Sequence, residues 1–210
     1  MANLVTLCRL LLLFVVVWLF YLPPTPWQFA SFVLIILIFV LDGLDGYVAR
    51  RRGETSLFGA LFDIAGDRIV ELTLWIVAAD NGLVPIFVPI VFIARGVVVD
   101  TIRSSNAVAH GVAPFALMRS RIGKFIVASK FMRGLYATVK ATAFAGLALR
   151  YPFPHWLPSL WSYVDWPLGA VTYFCVYLAV ALCIARGAPV IVEFVYAQRH
   201  DILRRPGAKQ

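Results

Sequence analysis

Apolar positions along this chain neither alternate nor mark out a single helical stripe. They run in long blocks, broken at intervals by short polar turns. The blocks approach the roughly 20 residues that a helix needs to cross a bilayer. Backbone groups in lipid must pair internally, so the pattern predicts an all-α integral membrane protein. A transmembrane β-barrel would show alternation instead. Six transmembrane helices are expected. The first span runs from about Leu4 to Leu22 and ends at Pro23-Pro24, Trp27 to Leu41 begins a second that runs on into Asp42 before a polar turn at Arg50-Arg51-Arg52-Gly53-Glu54, and the third covers Leu57 to Ala79. Asp80-Asn81-Gly82 makes a tight turn into a fourth, Leu83 to Val99, with Pro85 and Pro89 near its start. Arg103 to Lys124 reads as a polar, basic connection to a fifth span, Phe125 to Leu149. Tyr151 to Pro167, rich in Pro and Trp, suits a membrane interface; Leu168 to Ile184 is the sixth span, and the tail after Arg186 is amphipathic, then basic. A cleaved signal peptide is the weaker reading of the first block, because Tyr21-Leu22-Pro23-Pro24 lacks a small-residue cleavage site.

Composition agrees. Hydrophobic residues make up 61% of the 210 and mean hydropathy is +0.85, where a soluble domain is about half apolar. Residues 1–210 read as a single membrane domain. A formal net charge of +8 would raise the question of nucleic acid in a soluble protein. Here the basic residues flank spans and set orientation, so no nucleic-acid partner is expected. The turns at Pro23-Pro24 and Asp80-Asn81 hold no Lys or Arg, and the Tyr151 loop has only Arg150 at its edge. The Arg50 turn, the Arg103–Lys124 connection and the tail hold nearly everything else, which puts both termini in the cytoplasm. These basic segments also suit anionic lipid headgroups. Cys8, Cys175 and Cys183 are isolated in apolar segments, and His110, His155 and His200 are scattered; neither set has disulfide or zinc spacing.

One stretch breaks the apolar pattern in a chemically specific way: Asp42-Gly43-Leu44-Asp45-Gly46-Tyr47-Val48-Ala49-Arg50, followed by Gly59, Asp63 and Asp67. Ionised groups at membrane depth are expensive and usually face a cavity or a partner. Asp42 and Asp45 are three apart and Asp63 and Asp67 four apart, so on helices each pair shares a face. The intervening turn is short, which makes the two helices antiparallel neighbours and brings the carboxylates to similar depth near the cytoplasmic face. Four close carboxylates repel unless cations lie between them. Mg²⁺ or Mn²⁺ suits such oxygen ligands, and Mg²⁺ typically binds a few carboxylates plus substrate phosphates. Gly43, Gly46, Ala49 and Gly59 remove side-chain bulk where a phosphate must approach. Arg50 adds a fixed charge with bidentate phosphate geometry. Metals, small residues and arginine beside a membrane point to a diphosphate bearing a lipid. The competing structural reading is a helix end and turn, with Asp63 and Asp67 paired to Arg68 or Arg50.

The pattern Asp-x-x-Asp-Gly-x-x-Ala-Arg, then eight residues, then Gly-x-x-x-Asp-x-x-x-Asp, resembles the signature of the CDP-alcohol phosphatidyltransferase family. Asp42, Asp45, Gly46, Ala49, Arg50, Gly59, Asp63 and Asp67 match every position. The resemblance implies transfer of a phosphatidyl group from CDP-diacylglycerol to an alcohol with release of CMP. It also implies a homodimer, multi-pass in the cell inner (plasma) membrane, with a site facing the cytoplasm. By this resemblance Asp42, Asp45 and Asp63 bind metal, two ions in all. Asp67 serves as general base and second-metal ligand. Gly46, Ala49 and Arg50 lie along the CDP diphosphate with Gly59 in the same stretch, and Thr55 or Ser56 contacts the nucleotide. No residue demands a covalent intermediate, so attack is expected to be direct. A transporter would show a charged path through spans one, four and six, whereas here the charges cluster at one face. A non-catalytic scaffold would not need the intact aspartates.

The acceptor is less sharply written. A phosphorylated alcohol needs charge-assisted donors, and Arg95, Arg103, Arg119, Arg121, Lys124, Lys130 and Arg133 flank spans four and five. Arg103, Arg121 and Lys124 are the candidate acceptor contacts. The opening Asn3-x-x-Thr6-x-x-Arg9 resembles that of phosphatidylglycerophosphate synthases, which implies glycerol 3-phosphate. That branch often continues Gly-Lys-x-Lys-Thr-x-x-Gln, and here Gly123-Lys124 continues Phe125-Ile126-Val127-Ala128-Ser129-Lys130. Inositol phosphate is therefore the nearest rival, ahead of serine or free inositol.

Overall fold

The computed structural model describes residues 2–52, 57–110, 125–127 and 129–197. Among the described residues the chain is helical, with no strand. Six long helices follow one another: α1 (Ala2–Tyr21), α2 (Ala30–Arg52), α3 (Leu57–Asp80), α4 (Phe87–His110), α5 (Lys130–Arg150) and α6 (Pro158–Ala197). A 3₁₀ turn at Pro26–Phe29 leads into α2, and a single helical turn at Phe153–Trp156 precedes α6. Among the described residues, three segments are long and apolar enough to cross a membrane: Leu4–Tyr21, Pro26–Leu44 and Pro158–Tyr196.

Helix α1 is arranged inside out, as expected of a helix bathed in lipid. Leu4, Leu7, Leu11, Phe14 and Trp18 form an exposed stripe at helical spacing, while Thr6 and Arg9 are buried with Leu13, Val16 and Phe20. A continuous apolar stripe of this kind in water would be an aggregation liability. In a bilayer it is the solvated face, and the polar face turns inward.

Several boundaries differ from the sequence expectation, as at α4 and α6. Helix α4 runs on through Arg103 to His110, so the start of the expected basic connection is helix. Of the Pro- and Trp-rich stretch expected to be an interfacial loop, the part from Pro158 onward belongs to α6, which is 40 residues long. At 1.5 Å per residue that is roughly 60 Å, about twice the hydrocarbon thickness. Pro158 occupies the first helical position, where its missing N–H leaves nothing unsatisfied. Arg150 then fixes the start of the helix, since its guanidinium donates to the Asp165 carbonyl at 2.9 Å and pairs with the Asp165 carboxylate at 2.8 Å. The same guanidinium lies over the Trp161 ring.

The described chain forms two compact units. One comprises Met1–Ile90 and Thr138–Ala179, the other Val91–Ala137 and Val180–Gln210. Within the first, α1 and α3 lie side by side and point the same way. Arg9 meets Asp67 near the helix starts and Tyr21 meets Asp80 at the ends, over sequence separations of 58 and 59 residues. Part of α5 runs parallel to α3 in the same manner, with Lys140 against Glu71 and the Phe144 ring 4.3 Å from that of Trp75. Phe144 also stacks on Phe39 of α2. The expected turn at Asp80-Asn81-Gly82 is present and closes α3. Gly82 takes φ +68°, its N–H donates to the Ala79 carbonyl, and that of Leu83 donates to Ala78. This double closure needs a residue free to adopt the left-handed conformation.

Candidate active site

Asp42 comes from the second half of α2, and Asp63 and Asp67 from the first half of α3, on one face of that helix. Each contributes a carboxylate oxygen to a group in which the ligand atoms lie within 4.8 Å of one another. The side chains are 39%, 46% and 48% exposed respectively. At such separations two unit charges repel by about 3–4 kcal/mol at an effective dielectric of ~20. The arrangement therefore requires positive charge. An all-oxygen donor set matches a hard divalent ion, whose opposite ligands stand about 4.2 Å apart for Mg²⁺. The three carboxylates are thus able to hold a metal ion.

The described residues supply a cation. Arg9 projects from α1 into the group with its side chain only 3% exposed. Its Nη1 stands 2.8 Å from Asp42 Oδ1 and 3.5 Å from Asp63 Oδ1. Its Nη2 donates a directed hydrogen bond of 2.8 Å to Asp67 Oδ1. The Nη1 contacts are ion pairs without hydrogen-bond alignment, and Nε has no partner among the described residues. One guanidinium among three carboxylates leaves a formal excess of two negative charges in these four groups. Sequence reasoning saw Arg9 only as part of an opening motif. The available signal was that Arg9 is the one charged residue of an otherwise uncharged α1, and such a residue must find a counter-charge.

Arg68 reaches to Glu71, at 3.2 Å, and the side chain of Arg50 lies outside the described residues. Glu71 continues the Asp63–Asp67 face one turn further along α3, yet it has a separate task. It is 6% exposed, with Oε1 against Lys140 Nζ at 2.7 Å and Oε2 against Arg68. A carboxylate whose two oxygens are both engaged by cations is a packing element of the helix bundle.

Asp45, Gly46, Ala49 and Arg50 have described backbone within α2, but their side chains lie outside the described residues. Asp45 follows Asp42 by three residues and so shares its side of the helix. Gly43 faces open space. Gly59 sits in the first turn of α3, half-buried. Thr55, Ser56, Arg121 and Lys124 lie outside the described residues, and Arg103 is described only as backbone of α4.

The second unit holds a different arrangement. Arg186 of α6 is 7% exposed and donates to the carbonyls of Ile126 and Val127, both at 3.1 Å. Arg95 and Arg133 are basic residues whose charge bears on it. Arg95 packs along Gly187, and its Nε is buried with no hydrogen-bond partner among the described residues.

A family model described as CDP-alcohol phosphatidyltransferase matches residues 1–183. A Pseudomonas fluorescens protein named CDP-diacylglycerol--glycerol-3-phosphate 3-phosphatidyltransferase is 34% identical over 103 residues, which are 48% of this chain and 53% of that protein. Its namesake from Escherichia coli K12 is 32% identical over 79 residues, 38% of this chain and 43% of that protein. The chain spans about half the length of the curated relatives it matches.

Proposed function

The chain belongs to the CDP-alcohol phosphatidyltransferase family, and on that premise we propose that it makes a phospholipid from CDP-diacylglycerol and a small polar alcohol. Its acceptor in this reading is glycerol 3-phosphate, the substrate named for the relatives. The carrying observation is the convergence of Asp42, Asp63 and Asp67 on one point from two helices, at the positions where the family signature places them.

In the reaction the acceptor oxygen bonds to the phosphatidyl phosphorus as the bond from that phosphorus to the CMP oxygen breaks. Asp67 takes the hydroxyl proton as attack begins. Mg²⁺ or Mn²⁺, held as two ions by Asp42, Asp45, Asp63 and Asp67, would withdraw charge from the diphosphate and stabilise departing CMP. Gly46, Ala49 and Gly59 leave room for the CDP diphosphate, Arg50 neutralises it, and Thr55 and Ser56 contact the nucleotide. Arg103, Arg121 and Lys124, with Arg95 and Arg133, would supply donors for the acceptor's phosphate. The protein works as a homodimer, with residues 1–210 as one membrane domain. It has six spans in the cell inner membrane, with both termini and the site on the cytoplasmic side. Lys and Arg distribution supports that orientation.

The test is a headgroup screen. Purified full-length chain is given CDP-diacylglycerol, Mg²⁺ or Mn²⁺ and, in turn, glycerol 3-phosphate, inositol phosphate, serine and inositol, and CMP release is followed. Release with glycerol 3-phosphate that stops under excess chelator supports the reading. Full activity in chelator overturns the metal assignment. Use of serine or inositol with every phosphorylated alcohol ignored overturns the acceptor assignment.

A further inference from the structure

Arg9 addresses one oxygen of each of the three carboxylates that the proposed function gives to divalent ions, Oδ1 in every case. It is almost fully buried, so solvent does not share its charge. Its hold on the site is also slight. Only the Nη2 bond to Asp67 is directed, and neither Nη1 nor Nε has a hydrogen-bond partner among the described residues. The guanidinium is therefore kept in place mainly by the same charges that would attract a metal.

We infer that Arg9 is a built-in counter-ion that competes with the divalent ions and that metal loading displaces. It keeps Asp42, Asp63 and Asp67 together before metal arrives, and its withdrawal frees Asp67 Oδ1. Arg9 is thus a positioning residue: it acts through the aspartates and need not touch substrate. This inference rests on the metal reading of the aspartates and adds a direction of coupling to it. Two effects of removing Arg9 act alike. The three carboxylates repel without their internal cation, which destabilises the metal-free state, and an entering ion no longer meets a fixed positive charge. Opposing them is only the freedom regained by three short side chains, which is the smaller effect. Coupling between guanidinium and ion is thus negative, and by linkage it is reciprocal.

The experiment titrates Mn²⁺ alone into the full chain in detergent. Wild type, Arg9→Gln and Arg9→Lys are compared by electron paramagnetic resonance of free Mn²⁺ and by thermal unfolding. Arg9→Gln is expected to unfold at lower temperature in chelator, to regain the difference on adding Mn²⁺, and to bind Mn²⁺ about tenfold more tightly or better, within the usual range of site coupling. Arg9→Lys, which keeps the charge, should stay near wild type. Should Arg9→Gln not fold, ¹⁵N-arginine resonances of the wild type give the answer: Mg²⁺ should shift the Arg9 signal, assigned by its loss in Arg9→Lys. Unchanged or weaker Mn²⁺ binding in a folded Arg9→Gln, or an Arg9 signal unmoved at saturating Mg²⁺, overturns this inference alone. Absence of Mn²⁺ binding in every variant overturns the metal centre itself.

Discussion

Thr6 Cγ2 of α1 lies 2.6 Å from the point where a Cβ on Gly66 of α3 would sit. The two helices touch there because one of them has no side chain, and Thr6 itself is 1% exposed. Arg9 is one turn further along α1, so this contact sets the depth at which its guanidinium meets Asp63 and Asp67. Gly66→Ala is expected to push α1 outward and destabilise the protein by about 1–3 kcal/mol, the usual range for overpacking. Thermal unfolding in detergent measures it. Thr6→Ser removes the offending methyl, so the double variant should recover most of the loss, a non-additivity that a general effect of Ala in α3 would not give.

Glu71 and Lys140 form the buried ion pair that ties α3 to α5. Breaking a buried pair from one side typically costs about 3–5 kcal/mol, because the remaining charge is left uncompensated. Arg68 still holds Glu71 Oε2, so Lys140→Met should cost less, roughly 2–3 kcal/mol. Adding Glu71→Gln should restore part of this. Equal unfolding temperatures in wild type and Lys140→Met would show that the pair contributes nothing.

Asp67 carries the proton-transfer assignment. Asp67→Asn keeps the shape of the side chain and removes its capacity to accept a proton. Turnover should fall about 10²–10⁴-fold, the range for a general base, while CDP-diacylglycerol binding survives better than in Asp42→Asn. Single-turnover CMP release and a separate binding assay distinguish the two. Near-normal turnover in Asp67→Asn removes it from the chemistry.

The aspartates were legible because their spacing is local: three and four residues define a helical face before any fold is known. Arg9 was not, because its partners lie on two other helices and no local pattern records which helix packs on α1. Thr6 and Gly66 were hidden for the same reason. The end of α3 was readable from Asn81-Gly82, where turn chemistry and the left-handed φ of Gly82 coincide. The start of α6 misled, since Pro and Trp are turn and interface signals on average. Here Pro158 stands at the first helical position and Arg150 fastens Asp165 from α5, a contact between elements that composition does not encode.

The proposed orientation rests on the loops alone and is open to direct measurement. In a background with Cys8, Cys175 and Cys183 replaced, Glu54→Cys should be labelled from the cytoplasm and Asn81→Cys from the opposite side. Impermeant maleimide on whole cells and on inverted vesicles separates them. The reversed pattern would move the aspartates to the far face and overturn the cytoplasmic site.

The proposed glycerol 3-phosphate acceptor can be tested at the basic residues of the second unit. Arg186 spends its donors on the Ile126 and Val127 carbonyls, so replacing it would disturb the fold as well as any ligand. Arg95 is the better probe, since its Nε is buried without a hydrogen-bond partner among the described residues. Arg95→Gln keeps much of the length that packs on Gly187 and removes the charge. A hydrogen bond to a charged group contributes about 1.5–3 kcal/mol, so KM for glycerol 3-phosphate should rise roughly 10–100-fold. KM for CDP-diacylglycerol should change little. Arg133→Gln, at an exposed position, should act in the same direction more weakly. Adding salt should raise the acceptor KM of the wild type more than that of Arg95→Gln, because a phosphate held by charge is screened. Equal rises in both KM values would mean that Arg95 supports the fold and leaves the acceptor to other groups.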